Sequence, residues 1–304
     1  MKRTIPLILG ALLSLSTMAE TSKVDEYFME GNSKYERKDY QAAIESYTKA
    51  LNLSPDNVYI LYNMGNAYTD AGMADQALKC YRRAADGGFE DASLFFNLGN
   101  TYMSLGEIVE AVGMYKKSIR INPMDPGVYH NLAMCYTKLG DGDNAIASYE
   151  EAVKIDPDNA GAYYNLGNVY ASLNDDASAI RCYAQTVRVN PYYEKAYCNM
   201  GVSHSNLGDE DSAIDCYQRA IKVNPRYARA HYNLGIAHLH RNNSAEADAC
   251  FQKVMELTPY DISAFIKIGT AYGEIGMKEK QAECFTKAAD LGDEDCRKWL
   301  EENK

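Results

Sequence analysis

Residues 160–193 read AGAYYNLGNVYASLNDDASAIRCYAQTVRVNPYY, and the chain repeats this stretch at a fixed step. Counting in steps of 34 from Gly167 meets Gly31, Gly65, Gly99, Ala133, Gly201, Gly235 and Gly269, with no insertion or deletion. Eight such repeats tile residues 24–295. A period of about 20–50 residues marks a solenoid, in which each repeat is too small to bury its own apolar face and is held by its neighbours.

With Ala160 as position 1, Tyr163, Gly167 and Tyr170 fall at positions 4, 8 and 11, and Ala179, Tyr183 and Thr186 at positions 20, 24 and 27. Both sets have the i, i+4, i+7 spacing of one helix face. Turn residues separate them: Asn174, Asp175 and Asp176 here, and Gly72, Gly106, Gly140, Gly208 and Gly276 in the same place elsewhere. Near the end of the repeat stands Pro191, matched by Pro55, Pro123, Pro157, Pro225 and Pro259. Proline cannot continue a helix and pushes the preceding residue out of the α region. Each repeat therefore reads as helix A, tight turn, helix B, stop. Small residues at positions 8 and 20 let the helices approach, and large ones at 4, 11 and 24 fill the remaining space. This assigns most of the 25 tyrosines to packing.

The pattern resembles the tetratricopeptide repeat over all eight repeats. Departures are few: Phe89 and Asp293 stand where proline is usual, and Gln281 replaces the small residue at position 20. Those two repeats carry Gly87 and Gly88, or Gly292, suited to a glycine stop. The resemblance implies an all-α, right-handed superhelical solenoid whose concave groove is lined by the A helices, and a protein that binds other proteins or peptides.

The domain organisation follows from the count. Residues 1–19 combine Lys2 and Arg3, an apolar run from Ile5 to Leu15, and small residues ending at Ala19, the pattern of a secretory signal peptide. A linker, 20–23, leads into repeats 24–57, 58–91, 92–125, 126–159, 160–193, 194–227, 228–261 and 262–295. Residues 296–304 hold the only tryptophan, Trp299, among charged neighbours, as a capping helix requires. The expectation is an exported protein, periplasmic or secreted, with no membrane span in the mature chain. Loss of Lys2 and Arg3 would leave 29 basic against 42 acidic side chains, a charge of −13. Phosphate backbones require a basic surface, so nucleic acid is excluded as a partner.

Five of the eight cysteines, Cys80, Cys182, Cys216, Cys250 and Cys284, share position 23, flanking the core stripe. Neighbouring repeats lie about 10 Å apart and a disulfide needs Cα atoms within about 7 Å, so the row reads as buried thiols. His204 and His238 at position 11 and His231 at position 4 occupy core slots. No cofactor or metal is expected from them. Neither H-E-x-x-H, nor G-x-S-x-G, nor a phosphate loop occurs, and the chain is read as non-catalytic.

The remaining signal lies across helix A from its core stripe. Position 6 holds Asn63, Asn97, Asn131, Asn165, Asn199 and Asn233; position 9 adds Asn32, Asn66, Asn100 and Asn168. Asparagine is a poor mid-helix residue, costing up to about 0.7 kcal/mol against alanine, so something offsets it. One reading is a groove whose side-chain amides hold the backbone of an extended peptide, since each amide offers two donors and one acceptor. Beside them Tyr62, Phe96, His130, Tyr164 and Tyr232 at position 5 would contact its side chains. The other reading is inheritance by duplication, with amides bonded only to neighbouring helices. Asp25, Glu36 and Asp70 share this stripe near its start, whereas Lys195, Arg229 and Lys267 form a cationic group near its end, a possible contact for an anion. The family's carboxylate clamp implies lysine at position 5, and none stands there. The function expected is a non-catalytic adaptor or scaffold that binds extended polypeptide; the alternative is a structural spacer in an envelope-associated assembly, using convex or terminal surfaces.

Overall fold

A computed structural model describes residues 23–303 of the chain; the proposed signal peptide and most of the linker lie outside them. Two compact halves meet between Asp156 and Pro157. The first contains α1 (23–36), α2 (Tyr40–Leu53), α3 (Val58–Asp70), α4 (Ala74–Asp86), α5 (Ala92–Ser104), α6 (Ile108–Ile121), α7 (Pro126–Leu139) and α8 (Gly142–Ile155). The second contains α9 (Ala160–Ser172), α10 (Asp176–Val189), α11 (Glu194–Asn206), α12 (Glu210–Val223), α13 (Ala228–His240), α14 (Ser244–Leu257), α15 (Ile262–Glu274), α16 (Lys278–Asp290) and α17 (Glu294–Glu302). Odd-numbered helices up to α15 are the A helices, and no strand occurs among the described residues.

Local chemistry sets the helix ends. Asp39, Asp141, Asp175 and Asp209 cap B helices by accepting an N–H from the first turn. Asn57, Asp91, Asp125, Asn159 and Asp261 do the same for A helices. These caps each stabilise a helix by about 1 kcal/mol. Between A and B the chain turns through one left-handed residue, with φ between +59° and +82° at Lys38, Gly72, Gly106, Gly140, Asn174, Gly208, Asn242 and Gly276. Glycine adopts this conformation freely, asparagine tolerates it, and lysine is strained there. The proline-free second and eighth repeats stop on Gly88 and Gly292, both left-handed. After Gly292, Asp293 caps Cys296, and α17 begins at Glu294, two residues ahead of the expected cap boundary. Trp299 packs edge-on against Phe285, with ring centroids 4.8 Å apart, and closes the core.

Packing within a repeat centres on the ring at position 24. Tyr47, Tyr81, Tyr115, Tyr149, Tyr183 and Phe251 are almost wholly buried. Where position 8 is glycine, the ring closes on its backbone: a Cβ added to Gly167 would sit 2.6 Å from the Tyr183 ring, and one on Gly65 2.5 Å from Tyr81. The position-20 alanines, Ala43 through Ala247, are fully buried. Where Gln281 replaces this alanine, position 12 of the same repeat is Gly273, and the glutamine occupies the space its Cβ would take. Repeat four carries Ala133 in place of the glycine, and there the position-5 partner of the ring is the smaller His130 rather than a phenyl or phenol. Its ring meets Tyr149 at 79°, against 43–50° for Phe28, Tyr62, Phe96, Tyr164 and Tyr232 with their own partners.

In the first half α3 lies against α5 and α5 against α7, with no comparable contact between α4 and α6; in the second, α11 lies against α13. Each half therefore curves toward its A helices.

Two stability predictions follow from these contacts. Gly167→Ala should lower stability by about 1–2 kcal/mol in urea unfolding, because overpacking against an immobile ring outweighs alanine's roughly 1 kcal/mol helix advantage; Tyr164→His in the same chain should restore part of the loss. Lys38→Gly should raise stability by about 1 kcal/mol by relieving a left-handed lysine.

Candidate peptide-binding groove

The asparagines of the A helices are half-buried, and most of those whose bonds are resolved belong to a relay. The hydroxyl of the position-24 tyrosine donates to the position-9 amide oxygen of its own repeat: Tyr47 to Asn32 at 2.7 Å, Tyr81 to Asn66 at 2.8 Å, Tyr115 to Asn100 at 2.7 Å and Tyr183 to Asn168 at 2.9 Å. The same oxygen accepts from the position-6 amide of the next repeat: Asn97 to Asn66 at 3.0 Å, Asn131 to Asn100 at 2.8 Å and Asn199 to Asn168 at 2.9 Å. Asn97 and Asn199 also reach the hydroxyls of Tyr62 and Tyr164 in the preceding repeat. The asparagines thus tie each core ring to the next repeat, which offsets their poor helix propensity from inside the structure. Asn63 instead donates to the Tyr59 carbonyl of its own helix, at 2.9 Å.

Of the two readings the sequence left open, a peptide-holding face or amides bonded to neighbouring helices, the bonds of Asn97, Asn131 and Asn199 fit the second; the tyrosine partner was not foreseen. The signal was present: position 9 is asparagine only where position 24 is tyrosine, and it is Ile236 or Thr270 in the two repeats whose ring is Phe251 or Phe285. The position-5 residues Tyr62, Phe96, His130, Tyr164 and Tyr232 are half-buried and rest on the position-24 rings, at 5.5–6.1 Å between centroids. Burial holds the phenols of Tyr81, Tyr115, Tyr183 and Tyr217 well above their ordinary range, and pulls the His130 imidazole below its own.

The relay is interrupted at the fourth repeat, where position 9 is Met134, and lapses again in the second half. Position 9 of the sixth repeat is Val202, so Asn233 of the seventh has no amide acceptor and reaches the buried Cys198 sulfur at 3.5 Å. Beside it opens a pocket of about 470 Å³ that gathers Arg229, Tyr232 and Asn233 from α13 with Lys267 from α15. Asp261 is on its wall, accepting from the Ala264 N–H. Arg229 and Lys267 are exposed, and neither forms an ion pair among the described residues. Four positions assigned from sequence thus converge on one cavity. Lys195 is exposed on α11 and does not line it. In the first half Asp25, Glu36 and Asp70 are exposed, and Asp70 accepts from the Tyr35 hydroxyl.

All eight cysteines are free thiols, seven of them buried. Burial pushes Cys80 and Cys284 up to about 11 and Cys216 to about 12. His204 pairs with Asp209 at 3.2 Å, His231 Nε2 lies 3.0 Å from the Pro225 carbonyl, and His238 is half-buried on α13. Among the described residues no group of three or more His, Cys, Asp or Glu is gathered as metal ligands, and no helix is long and apolar enough to cross a membrane.

Family models match along the chain: a TPR repeat at 31–72, a tetratricopeptide repeat at 62–126, and the cilia and flagella-associated protein 70 C-terminal domain at 114–302. The chain belongs to the tetratricopeptide repeat family. Among solved structures, the C-terminal part of a TPR repeat-containing protein from Cytophaga hutchinsonii superposes with a TM-score of 0.70 at 17% identity, over 79% of this chain and 98% of that one. YrrB, described as a TPR protein with an unusual peptide-binding site, gives 0.56 at 21% identity, over 66% of this chain and 98% of its own. At these identities the likeness is one of fold. The heat-shock protein cognate co-chaperone sgt12 of Aspergillus fumigatus is 39% identical over 59 residues, 19% of this chain and only 17% of that protein.

The relay and the thiols each give a measurable outcome. Asn168→Ala should cost about 1–3 kcal/mol, since it leaves the Tyr183 hydroxyl and an Asn199 N–H without their acceptor; Asn168→Asp, which keeps an acceptor, should cost less in the same thermal melts. The raised thiols favour the folded state while protonated. Their contribution is complete below the unfolded-state value of about 8.5 and is lost as pH rises through the folded values near 11–12. Unfolding midpoints should therefore fall between pH 8 and 11, less steeply in Cys80→Ala/Cys216→Ala/Cys284→Ala.

Proposed function

We propose that this chain is a non-catalytic scaffold that grips extended polypeptide along its A-helix face, and that it works outside the cytoplasm. The observation that carries the reading is the pocket formed by Arg229, Tyr232, Asn233 and Lys267. It offers an amide not tied into the relay, a ring face for an apolar side chain, and two cations without an ion-pair partner. A peptide presenting an acidic group beside an apolar one meets all three. In a chain with net charge −11, such a locally basic spot is where an acidic group on a ligand is opposed least by the rest of the surface.

The amide wall contributes differently from the pocket. Asn97, Asn131 and Asn199 hold the repeats in register and give the peptide a rigid bed; Asn165 shares their position. A preformed groove spares the ordering cost that a flexible surface would incur on binding. Tetratricopeptide repeats are in general interaction scaffolds, which agrees with a role carried by surface rather than by catalysis.

Export rests on Lys2, Arg3 and the apolar run that follows them. Amino-terminal sequencing of protein from its native host should begin at Glu20; an intact Met1 in the soluble cell extract would overturn export without touching the groove. A second reading, an envelope-associated spacer engaged through its outer face, is favoured by two crevices on the B helices.

The groove itself is tested with an array of twelve-residue peptides bearing single Asp or Glu residues. Arg229→Glu/Lys267→Glu should weaken the best binder at least tenfold and flatten its salt dependence. Equal binding by both proteins, or binding indifferent to the acidic residue, would sink the pocket as the site of recognition.

A further inference from the structure

The outer, B-helix face of the second half carries two crevices built alike. One, of about 630 Å³, has Pro191 and the Tyr197 ring in its wall, with Tyr192 at its mouth. The other, of about 590 Å³, is formed in the same way by Pro259 and the Phe265 ring. Tyr260 follows Pro259 in the chain and is not itself among the lining residues. These two tyrosines are the most exposed large hydrophobic side chains described, at 80% for Tyr192 and 83% for Tyr260. Knob and hole therefore occur side by side, twice, and both knobs and both holes are separated by the same two-repeat step.

Such a surface is complementary to itself. Turning a second copy about a two-fold axis sets the first crevice of one molecule opposite the second crevice of the other. Tyr192 of each copy then meets the crevice at Phe265, and Tyr260 meets the crevice at Tyr197. This is an isologous contact, closed at two subunits. The charges agree with that pairing and not with like on like. Lys222 rims the first crevice and Asp290 the second, and neither is in an ion pair among the described residues. Of the other rim charges, Arg219 is paired with Asp215 at 2.8 Å and Glu256 with Lys253 at 2.9 Å, while Lys287 of the second crevice lies over the Phe265 ring, 5.7 Å from its centroid. The two-fold arrangement brings each free lysine to a free aspartate. Four tyrosines burying roughly 150–250 Å² each would supply a large part of the roughly 1,200–2,000 Å² of a stable interface.

We propose that this face is a dimer interface: two copies of the chain associate through Tyr192 and Tyr260 docked reciprocally into the proline-floored crevices, with Lys222 of each copy facing Asp290 of the other. The face lies on the B helices, so dimerisation leaves the A-helix groove open and doubles the number of grooves per particle.

Sedimentation velocity on the chain from residue 20, across a hundredfold range of concentration, tests the proposal. The unmodified protein should show a concentration-dependent monomer–dimer equilibrium. Tyr192→Ala/Tyr260→Ala should weaken it at least tenfold, and because both side chains are exposed, circular dichroism should show the fold intact. Lys222→Asp and Asp290→Lys should each weaken the dimer, and the two together should restore it. A monomer at every concentration, or a dimer indifferent to all four changes, would overturn the proposal. So would a monomer in which Tyr192→Ala/Tyr260→Ala abolishes crosslinking to a different protein, which would assign the face to that partner.

Discussion

In seven of the eight repeats a glycine backbone of helix A meets an aromatic ring of helix B at close range. At position 8 helix A has no side chain, and the position-24 ring of helix B lies where a Cβ would be. That contact fixes how near the two helices come. It also determines where the ring's far end points, and the hydroxyl at that end is what the next repeat can bond. The position-9 asparagine receives it, and the position-6 asparagine of the following helix A completes the bridge. Intra-repeat packing and inter-repeat registry are therefore one mechanism. A non-directional contact brings the helices together, and a directional pair of hydrogen bonds sets how the next pair sits on them.

Several departures from the pattern come in matched pairs, though Tyr149 and Tyr217 keep the hydroxyl in repeats whose position 9 is Met134 and Val202. Phe251 and Phe285 have no hydroxyl, and their repeats have no position-9 asparagine. Gln281 replaces a small residue where Gly273 leaves room for it. Ala133 replaces the glycine where His130 replaces a larger ring. The relay is interrupted at Met134, resumes between Asn168 and Asn199, and stops at Val202; beyond that point the A-helix face opens into a pocket whose two cations form no ion pair among the described residues. Specific recognition is easiest to place where the repeats stop bonding to each other, because a polar group already satisfied by a neighbour gains little from a ligand.

The two faces of the second half have different chemistry for the same reason. The A helices face one another at close range, and their side chains are largely engaged within the stack. On the other side, crevices lined by B-helix residues take in the very prolines that end a repeat. A residue placed by the rules of helix termination thus becomes part of a surface.

Period, helix pairing, turn and core were legible in the sequence because each is a local rule. Proline ends a helix, glycine turns left-handed, and apolar residues three and four apart share a face; eight copies remove the ambiguity that one would leave. The burial of Cys80, Cys182, Cys216 and Cys284 followed from position 23 in the same way, while Cys250 of the same row is only half-buried. The partners of the asparagines were not legible. A residue's position around a helix says which way it points, not what meets it there, and the Asn97 amide finds its acceptor on another repeat, 31 residues back in the chain. Only the tertiary structure, by fixing how far one hairpin sits from the next, decided that these amides bind the protein to itself over most of their length, and left Arg229 and Lys267 facing an open cavity.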